Sequence, residues 1–489
     1  MRSNSLELDT SFDQADRRIS LSEQPTPAQL GALRCHSRAG RSTNLDDFDD
    51  TTDSVENVTR RWREDDPSFW GEFSDALSAW SASSDPAAGA SIGFWLTSVR
   101  LSGISQPQTL NLTRFLAEPA FERNPATSRS VRRYPTGGVS EKQAIILPAV
   151  LRLLSGDARF HSSFLIARRL GHTGGTSDKL RILPGFVVQP ASELAEWTGA
   201  PPAVRYFTAD AEFCPRDEAL YFLRGETGTV RQAGLITASI IAKQYALRAD
   251  LTLIDVLHGD GAFFDSPDAA DRFIRDATAV CSDLGLPIEL SRRPTSSIAW
   301  RSIGNAAEIV EILHDLATPR PAGALPRSEL DQAIKFAARL AEASELPAES
   351  VRGRIEDAWC SGELMQNLVA LWREHSVDTD FLARLQVDPE AAILGGLHVS
   401  ESPATASGIV GTRSVVELAD LVNTRLNGYA TGTPGLPTRL GVGGLTLGVA
   451  LGETIESGQN LFRVHSSDPI DPRVVDAVAA NLTVTPVAA

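Results

Sequence analysis

A glycine-rich turn between Leu170 and Leu180 has the residue types that are needed to hold an anion. It follows the apolar run Phe164–Ala167, which we predict to be a buried strand. The turn contains three glycines and two threonines, so backbone N–H groups and hydroxyls can approach a negatively charged ligand closely. A tight loop without a ligand is the alternative interpretation of such a turn taken alone.

Two further glycine turns occur in the chain. One spans residues 135–142, and the other spans 259–264, directly after the β-branched, apolar run Leu251–Leu257. That run predicts a buried strand of the parallel type. Between Arg133 and Gln189 glycine turns likewise alternate with apolar runs, which we interpret as strands. Strands that alternate with helices in this way indicate an α/β sheet.

A helix with an unusual face is predicted for residues 235–243. Ser239 and Lys243 are four residues apart and therefore share one face, with Ile236 beside them. A hydroxyl, an ammonium and an apolar contact on one face suit a small polar heterocycle. An ordinary amphipathic helix with a solvated lysine is the alternative.

Lysine is rare in this chain, which has 46 lysines and arginines in total but only four lysines: Lys142, Lys179, Lys243 and Lys335. Three of these four lie in the segments just described. Because lysine is a compact point charge and arginine is a planar fork, the two are not interchangeable at a tight site. The distribution indicates specific tasks for these three lysines.

The composition excludes several classes of protein. A net charge of −16 argues against a nucleic-acid or anionic-membrane partner. The four cysteines are widely separated and indicate reduced thiols in a cytoplasmic protein, and the histidines show no metal-binding spacing, so no metal site and no cofactor are expected. No apolar run is long enough to span a membrane.

The sequence predicts an α/β fold: a small all-helical domain, a large α/β domain with a mixed sheet, and a C-terminal hammerhead-like α+β region. Residues 1–65 are polar, include the acidic patch Leu45–Asp50, and predict a disordered tail. We predict that the helical domain comprises residues 66–130 and 212–247. The α/β domain then comprises residues 131–211 and 248–385, and the C-terminal region comprises residues 386–489.

Taken together, these segments resemble the thymidine and pyrimidine-nucleoside phosphorylases from about residue 90 to the C-terminus. The motifs that carry the resemblance are residues 170–180 with Pro184–Phe186, then 235–243, 255–263 and 304–308. The resemblance implies a homodimer whose helical domain holds a pyrimidine base and whose α/β domain holds phosphate. It also implies phosphorolysis through an oxocarbenium-like transition state, with inorganic phosphate as a candidate co-substrate.

The resemblance assigns site residues one by one. Arg224, Ser239 and Lys243 occupy base-recognition positions. Apolar and aromatic positions around the base are Leu170, Tyr221, Ile236 and Phe263. The phosphate positions are Arg133, Thr136, Gly137, Gly138 and Thr176. The catalytic positions are Tyr134, Arg224 and Lys243.

The first glycine turn departs from the family pattern Lys-His-Ser-Thr-Gly-Gly. Tyr134 replaces the histidine that assists the leaving base, and Pro135 replaces a phosphate-contacting serine. Two further phosphate-side serines align with Ala144 and Ile166. A positioned general acid contributes about 10²–10⁴-fold to a rate, so we expect ordinary phosphorolysis to be weak.

Three functions fit these observations. The first is pentosyl transfer from a pyrimidine nucleoside, with phosphate used poorly or replaced by another nucleophile. The second is a catalytically impaired protein that binds a pyrimidine or serves as a scaffold. The third is a specialised biosynthetic enzyme that uses the same cleft.

Overall fold

A computed structural model describes residues 61–62, 67–118, 129–155, 160–195, 203–210, 212–297, 300–317, 328–342, 347–428 and 441–487. The predicted polar tail of residues 1–65, with its acidic patch, lies outside the described residues except for residues 61 and 62. Trp62 packs edge-on against Trp95 with ring centroids 5.1 Å apart, so this residue belongs to the packed helical region.

The described helices are listed in chain order: α1 (Pro67–Ser83), α2 (Pro86–Ser102), α3 (Gln106–Ala117), α4 (Gln143–Ser155), α5 (Thr176–Leu180), α6 (Pro215–Glu226), α7 (Ala233–Leu247), α8 (Pro267–Leu284), α9 (Asn305–Leu316), α10 (Ser328–Glu342), α11 (Ala348–Cys360), α12 (Glu363–Glu374), α13 (Thr379–Val387), α14 (Pro389–Leu394), α15 (Val415–Arg425) and α16 (Pro472–Asn481).

The described strands are β1 (Arg129–Pro135), β2 (Phe160–Leu165), β3 (Gln189–Pro190), β4 (Val204–Thr208), β5 (Leu251–His258), β6 (Ile288–Pro294), β7 (Ser302–Ile303), β8 (His398–Pro403), β9 (Gly408–Thr412), β10 (Gly443–Leu447), β11 (Thr454–Ile455), β12 (Asn460–Ser466) and β13 (Leu482–Thr485).

The main sheet has six strands in the order β3-β4-β2-β1-β5-β6, and every described pairing in it is parallel. The α/β architecture is confirmed, but the prediction of a mixed sheet is wrong for this sheet. Parallel neighbours require long crossover connections, and helices such as α4 supply them. Antiparallel pairing is found in the two C-terminal sheets, ordered β7-β10-β12-β8 and β11-β9-β13.

The run 144–151 lies in α4, so its interpretation as one of the alternating strands is wrong. Every residue from Gln143 to Leu151 in this helix is buried. A helix that is covered on all sides loses the polar face that reveals helical period, which explains the error.

The helical region has its own core. The buried cluster contains Trp95 and Leu112 from the first three helices together with Leu223 and Ala238 from α6 and α7. Packing therefore joins helices that are more than a hundred residues apart in the sequence, and it fixes α6 and α7 beside the sheet. None of the helices in the described part of the chain is long and apolar enough to cross a bilayer.

Candidate active site

Three glycine turns meet at the carboxyl ends of the neighbouring strands β2, β1 and β5. The carbonyl of Gly261 accepts hydrogen bonds from the Val139 amide (3.0 Å) and from Nε2 of His172 (3.1 Å), and so it connects all three turns. In open α/β sheets this edge is where ligands bind. The fold therefore creates one site from turns that are widely spaced in the sequence.

Two helices present polar faces toward this edge. On α6, Asp217, Tyr221 and Arg224 follow each other at spacings of four and three residues and share a face. On α7, Ser239 and Lys243 share a face, as the sequence predicted. The ammonium of Lys243 lies 5.9 Å from the centre of the Tyr221 ring, so the two faces meet.

Lys243 is a buried cation that is held by three acceptors. Its ammonium forms an ion pair with Asp217 and donates to the hydroxyl oxygen (3.0 Å) and to the carbonyl oxygen (3.2 Å) of Ser239. Burial is the largest single effect and works to lower the pKa of Lys243, but the charge and hydrogen bond of Asp217 together with the nearby Tyr134 leave that pKa raised. The ammonium is thus charged at neutral pH, and its three hydrogen bonds among the described residues all go to Asp217 and Ser239.

Arg224 is also buried, and its Nη2 donates to the carbonyl of Val230 at 2.9 Å. Burial lowers the pKa of Arg224, and the charge of Asp217 partly offsets this effect. The Nε atom of Arg224 has no hydrogen-bond partner among the described residues. A guanidinium stays charged in proteins, so this side chain retains a free donor in the cleft.

Tyr134 is the penultimate residue of β1 and lies close enough to Lys243 and Asp217 for both charges to act on its phenol. Burial raises the pKa of Tyr134, and the carboxylate of Asp217 adds to this shift while Lys243 opposes it. The phenol is therefore neutral at physiological pH. It can donate a hydrogen bond, but it is a weak proton source.

An apolar wall closes the site. Leu170 and Tyr134 pack against a cluster that contains Ile236 and Phe263. Gly137 has φ of +100°, and a Cβ there would lie 2.9 Å from Phe263 Cε2, so only glycine fits against that ring. The structure thus brings together the apolar positions that the resemblance assigned to the base.

Several groups at the predicted phosphate positions already make contacts within the protein. The Thr136 hydroxyl accepts the Leu257 amide hydrogen bond at 3.0 Å, which fixes the turn to β5. Gly138 pairs with Ala262 in an isolated bridge. Thr176 is the partly buried first residue of the short helix α5. Ile166, at a family serine position, is packed in the main core, so no hydroxyl is available there.

Arg133, one of the predicted phosphate positions, lies in a buried group of charged side chains. It is buried in an ion pair with Asp255 and is 2.9 Å from Glu141, while Arg293 contacts the same oxygen of Asp255, Oδ2, at 2.7 Å. Its guanidinium also stacks on Phe336 with 4.8 Å to the ring centre. Both carboxylates contact Nη2 of Arg133, and its Nε and Nη1 atoms are buried without a hydrogen-bond partner among the described residues.

The three lysines that the sequence singled out are all buried and all paired with a carboxylate. Lys142 lies 3.1 Å from Glu311, and Lys179 lies 2.5 Å from Glu308. These two pairs attach the first two glycine turns to α9. Lys243 instead pairs with Asp217 and so joins α7 to α6.

Sequence reasoning missed Asp217, which forms the ion pair with Lys243. Its spacing from Tyr221 and Arg224 on one helical face was the signal that could have identified it. The carboxylates Glu308 and Glu311 were also missed as partners of the lysines, because nothing in the sequence pairs residues so far apart. Within the described ranges, no group of His, Cys, Asp and Glu side chains is arranged to hold a metal ion.

No protein-family model matches the chain. Curated thymidine phosphorylases do match: the human protein is 29% identical over 388 residues, which cover 78% of this chain and 79% of the relative. The Sinorhizobium fredii protein is 28% identical over 341 residues (69% and 74%), and the Rhizobium meliloti protein is 26% identical over 411 residues (82% and 88%).

Among solved structures, anthranilate phosphoribosyltransferase from Thermus thermophilus has a TM-score of 0.43 at 15% identity, covering 65% of this chain and 99% of that one. The Saccharomyces cerevisiae enzyme has a TM-score of 0.41 at 10% identity, covering 68% and 98%. The sequence similarity to the thymidine phosphorylases extends over most of both chains. The chain is therefore a divergent relative of the thymidine phosphorylases.

Proposed function

We propose that this protein is a pentosyltransferase that cleaves the glycosidic bond of a pyrimidine nucleoside or a close analogue. The observation that carries the proposal is the convergence of Arg224, Ser239, Lys243 and Tyr134 beside an apolar wall. The curated relatives are thymidine phosphorylases, which supports the same class of substrate.

In the proposed reaction a nucleophile bonds to C1′ of the pentose while the bond from C1′ to the base nitrogen breaks. The electron pair of that bond leaves with the base, so negative charge develops on the pyrimidine ring and its carbonyl oxygens. Lys243 and Arg224 supply fixed positive charge in a site of low water content, where such charge is most effective. The neutral phenol of Tyr134 donates a hydrogen bond to the departing base.

Several residues at the family's phosphate positions, which would hold the nucleophile, depart from the family pattern. Pro135 has neither a hydroxyl nor an N–H, Ile166 and Ala144 are buried apolar residues, and Arg133 is committed to carboxylates. Each lost hydrogen bond to a charged group costs about 1.5–3 kcal/mol. We therefore propose that phosphate is used poorly here, or that another nucleophile replaces it.

The test is an assay of base release from thymidine and uridine, with and without phosphate, at high enzyme concentration. Wild type should release base from at least one nucleoside, and Lys243→Met should reduce the rate. Lys335→Met is a suitable control, because this fourth lysine belongs to none of the glycine turns or base-side helices. Absence of base release from every nucleoside tested contradicts the enzymatic proposal.

A second candidate is a catalytically impaired protein that binds a pyrimidine, and the replacement of the family histidine by Tyr134 favours it. Calorimetry with thymine, uracil and their nucleosides separates the candidates, since binding without turnover supports this one. A specialised biosynthetic enzyme with the same cleft is the third candidate. Turnover of an analogue that is preferred over thymidine and uridine would support it.

We also propose that the protein forms a homodimer through its helical region, as the resemblance implies. Sedimentation velocity over a range of concentrations tests this proposal. A species of one chain at every concentration would contradict it.

A further inference from the structure

A cavity lies beside the proposed base site and is not used by the reaction proposed above. Its volume is about 450 Å³, and it opens between the glycine turn after β2 and the loop that joins α6 to α7. The lining residues are Arg100, Gly171, His172, Gly228, Thr229, Val230, Arg231 and Gln232. Two of these are arginines, and none of these described lining residues has a carboxylate.

The two arginines of this cavity are exposed and have no carboxylate partner in the described part of the chain. Neither Arg100 nor Arg231 forms an ion pair or a hydrogen bond with another residue in the described part of the chain. By contrast Arg133, Arg169 and Arg293 are each paired with a carboxylate. In a protein with a net charge of −16, two unpaired guanidiniums at one cavity form a local site for an anion.

Backbone geometry places Arg100 against the loop. Gly228 has φ of +62°, and a Cβ at this position would lie 2.9 Å from Nη1 of Arg100. Glycine therefore satisfies the left-handed conformation and leaves room for a guanidinium that comes from α2. The cavity combines side chains from α2, from the α6–α7 loop and from the glycine turn, which are distant in the sequence.

His172 adds a titratable donor to the same cavity. Its Nε2 must donate to the Gly261 carbonyl, since a carbonyl oxygen only accepts, and Nδ1 is then unprotonated in the neutral ring. Burial lowers the pKa of His172, and Arg231 lowers it further, while the carboxylates of Asp420 and Asp260 act in the opposite direction. A bound dianion would raise this pKa and favour a second N–H donor.

The cavity shares a wall with the base site. Val230 lines the cavity, and its carbonyl is held by Arg224 at 2.9 Å. Val230 also contacts the glycine turn, because a Cβ on Gly171 would lie 3.8 Å from Val230 Cγ1. A ligand whose base is near Arg224 can therefore extend a second polar group past Val230 toward the arginines.

We propose that this cavity binds a phosphate dianion carried on the sugar of the substrate, so that the protein acts on a pyrimidine nucleoside 5′-phosphate. This inference rests on the proposed function, because it extends the same substrate past the base site. Arginine is well matched to phosphate through paired hydrogen bonds. Free inorganic phosphate offers the same chemistry, and the experiment distinguishes the two sources.

The experiment compares Arg231→Gln and Arg100→Gln with the control Arg248→Gln. Arg248 is exposed at the opposite end of α7 and stacks on Tyr245, so its replacement removes a similar charge outside the cavity. KM is measured for thymidine, for thymidine 5′-phosphate and for inorganic phosphate. We expect both cavity variants to raise KM for the nucleotide at least about tenfold, with KM for thymidine unchanged and Arg248→Gln without effect.

An increase in KM for inorganic phosphate alone would support the anion site and overturn its assignment to the substrate's own phosphate. Unchanged KM values for both phosphate-bearing compounds in both variants would overturn the site itself. If no compound is turned over, calorimetry with thymidine 5′-phosphate and with inorganic phosphate decides the matter. Binding that is lost in Arg231→Gln then supports the site although the proposed enzymatic function fails, and absence of binding to wild type refutes the site.

Discussion

Replacement of Lys243 by methionine removes one charge from the centre of the candidate site and keeps most of the side-chain volume. Its partner Asp217 is only 2% exposed, so the carboxylate remains as a buried charge without its counter-ion. Removal of one member of a buried ion pair costs about 3–5 kcal/mol of unfolding free energy. We therefore expect a clear fall in the denaturant midpoint of Lys243→Met.

Loss of stability alone does not identify a binding residue, and the chain offers a matched control. Lys142 is fully buried and pairs with Glu311 at 3.1 Å, so Lys142→Met should lower the stability by a similar amount. Lys243, unlike Lys142, belongs to the proposed base site. A lost hydrogen bond from a charged donor costs about 1.5–3 kcal/mol, which corresponds to a Kd for a pyrimidine nucleoside about 10–150 times weaker.

The assay combines urea denaturation with calorimetric titration of thymidine and uridine below the unfolding transition. A third variant, Asp217→Asn with Lys243→Met, removes both charges of the pair. Its stability should recover relative to Lys243→Met, because no unpaired charge remains, while its affinity should stay low. This variant separates the loss of fold from the loss of a ligand contact.

Two results would refute the reasoning. If Lys142→Met and Lys243→Met weaken nucleoside binding equally, then Lys243 has no special place in the site. If Lys243→Met binds nucleosides as wild type does, the base is not recognised by this ammonium, and the proposed function loses its main support.

Three further predictions follow from the same site. Tyr134→Phe should lower kcat about 10–100-fold. Burial raises the pKa of Tyr134, so a basic limb of the pH profile that lies below the usual tyrosine pKa of about 10 and vanishes in this variant would contradict a neutral phenol. The double change Tyr134→His with Pro135→Ser should raise the phosphate-dependent rate of base release at least about 100-fold. If base release by this variant does not depend on phosphate concentration in the steady-state assay, the replaced side chains at these two positions do not explain weak phosphorolysis. Burial works to raise the pKa of Asp255, but Arg133 and Arg293 leave it lowered. The stabilisation from this carboxylate is therefore present above its unfolded pKa of about 3.9 and is lost as the pH falls below that value. Asp255→Asn should reduce the urea midpoint at pH 7 and make that midpoint less dependent on acid pH, and an unchanged acid dependence would speak against this ion pair.

Much of the fold could be predicted where one pattern dominates locally. The run Leu251–Leu257 is apolar and β-branched, and it forms the buried parallel strand β5. The spacing of Ile236, Ser239 and Lys243 correctly predicted α7 and its shared face. The α4 segment was missed because it is buried on all sides and shows no polar face.

The candidate site was predictable only in part. Residue types and order indicated Arg224, Ser239 and Lys243, but the role of Arg133 depended on Asp255, which is 122 residues away. The sequence likewise does not show which distant carboxylate pairs with each of the rare lysines. Lys142 and Lys179 have carboxylate partners on α9, and their rarity in the sequence did not distinguish a structural ion pair from a ligand contact.

The sequence by itself determined the α/β class, the three glycine turns and the resemblance to the phosphorylases, because these depend on local residue order. The tertiary structure decided which turns meet, since the parallel order β2-β1-β5 places their ends side by side. It also decided which cations are neutralised and which are free, because pairing with a carboxylate depends on distance in space. That is why Arg133 belongs to the buried framework, whereas Arg100 and Arg231 remain at a cavity beside the glycine turn that follows β2.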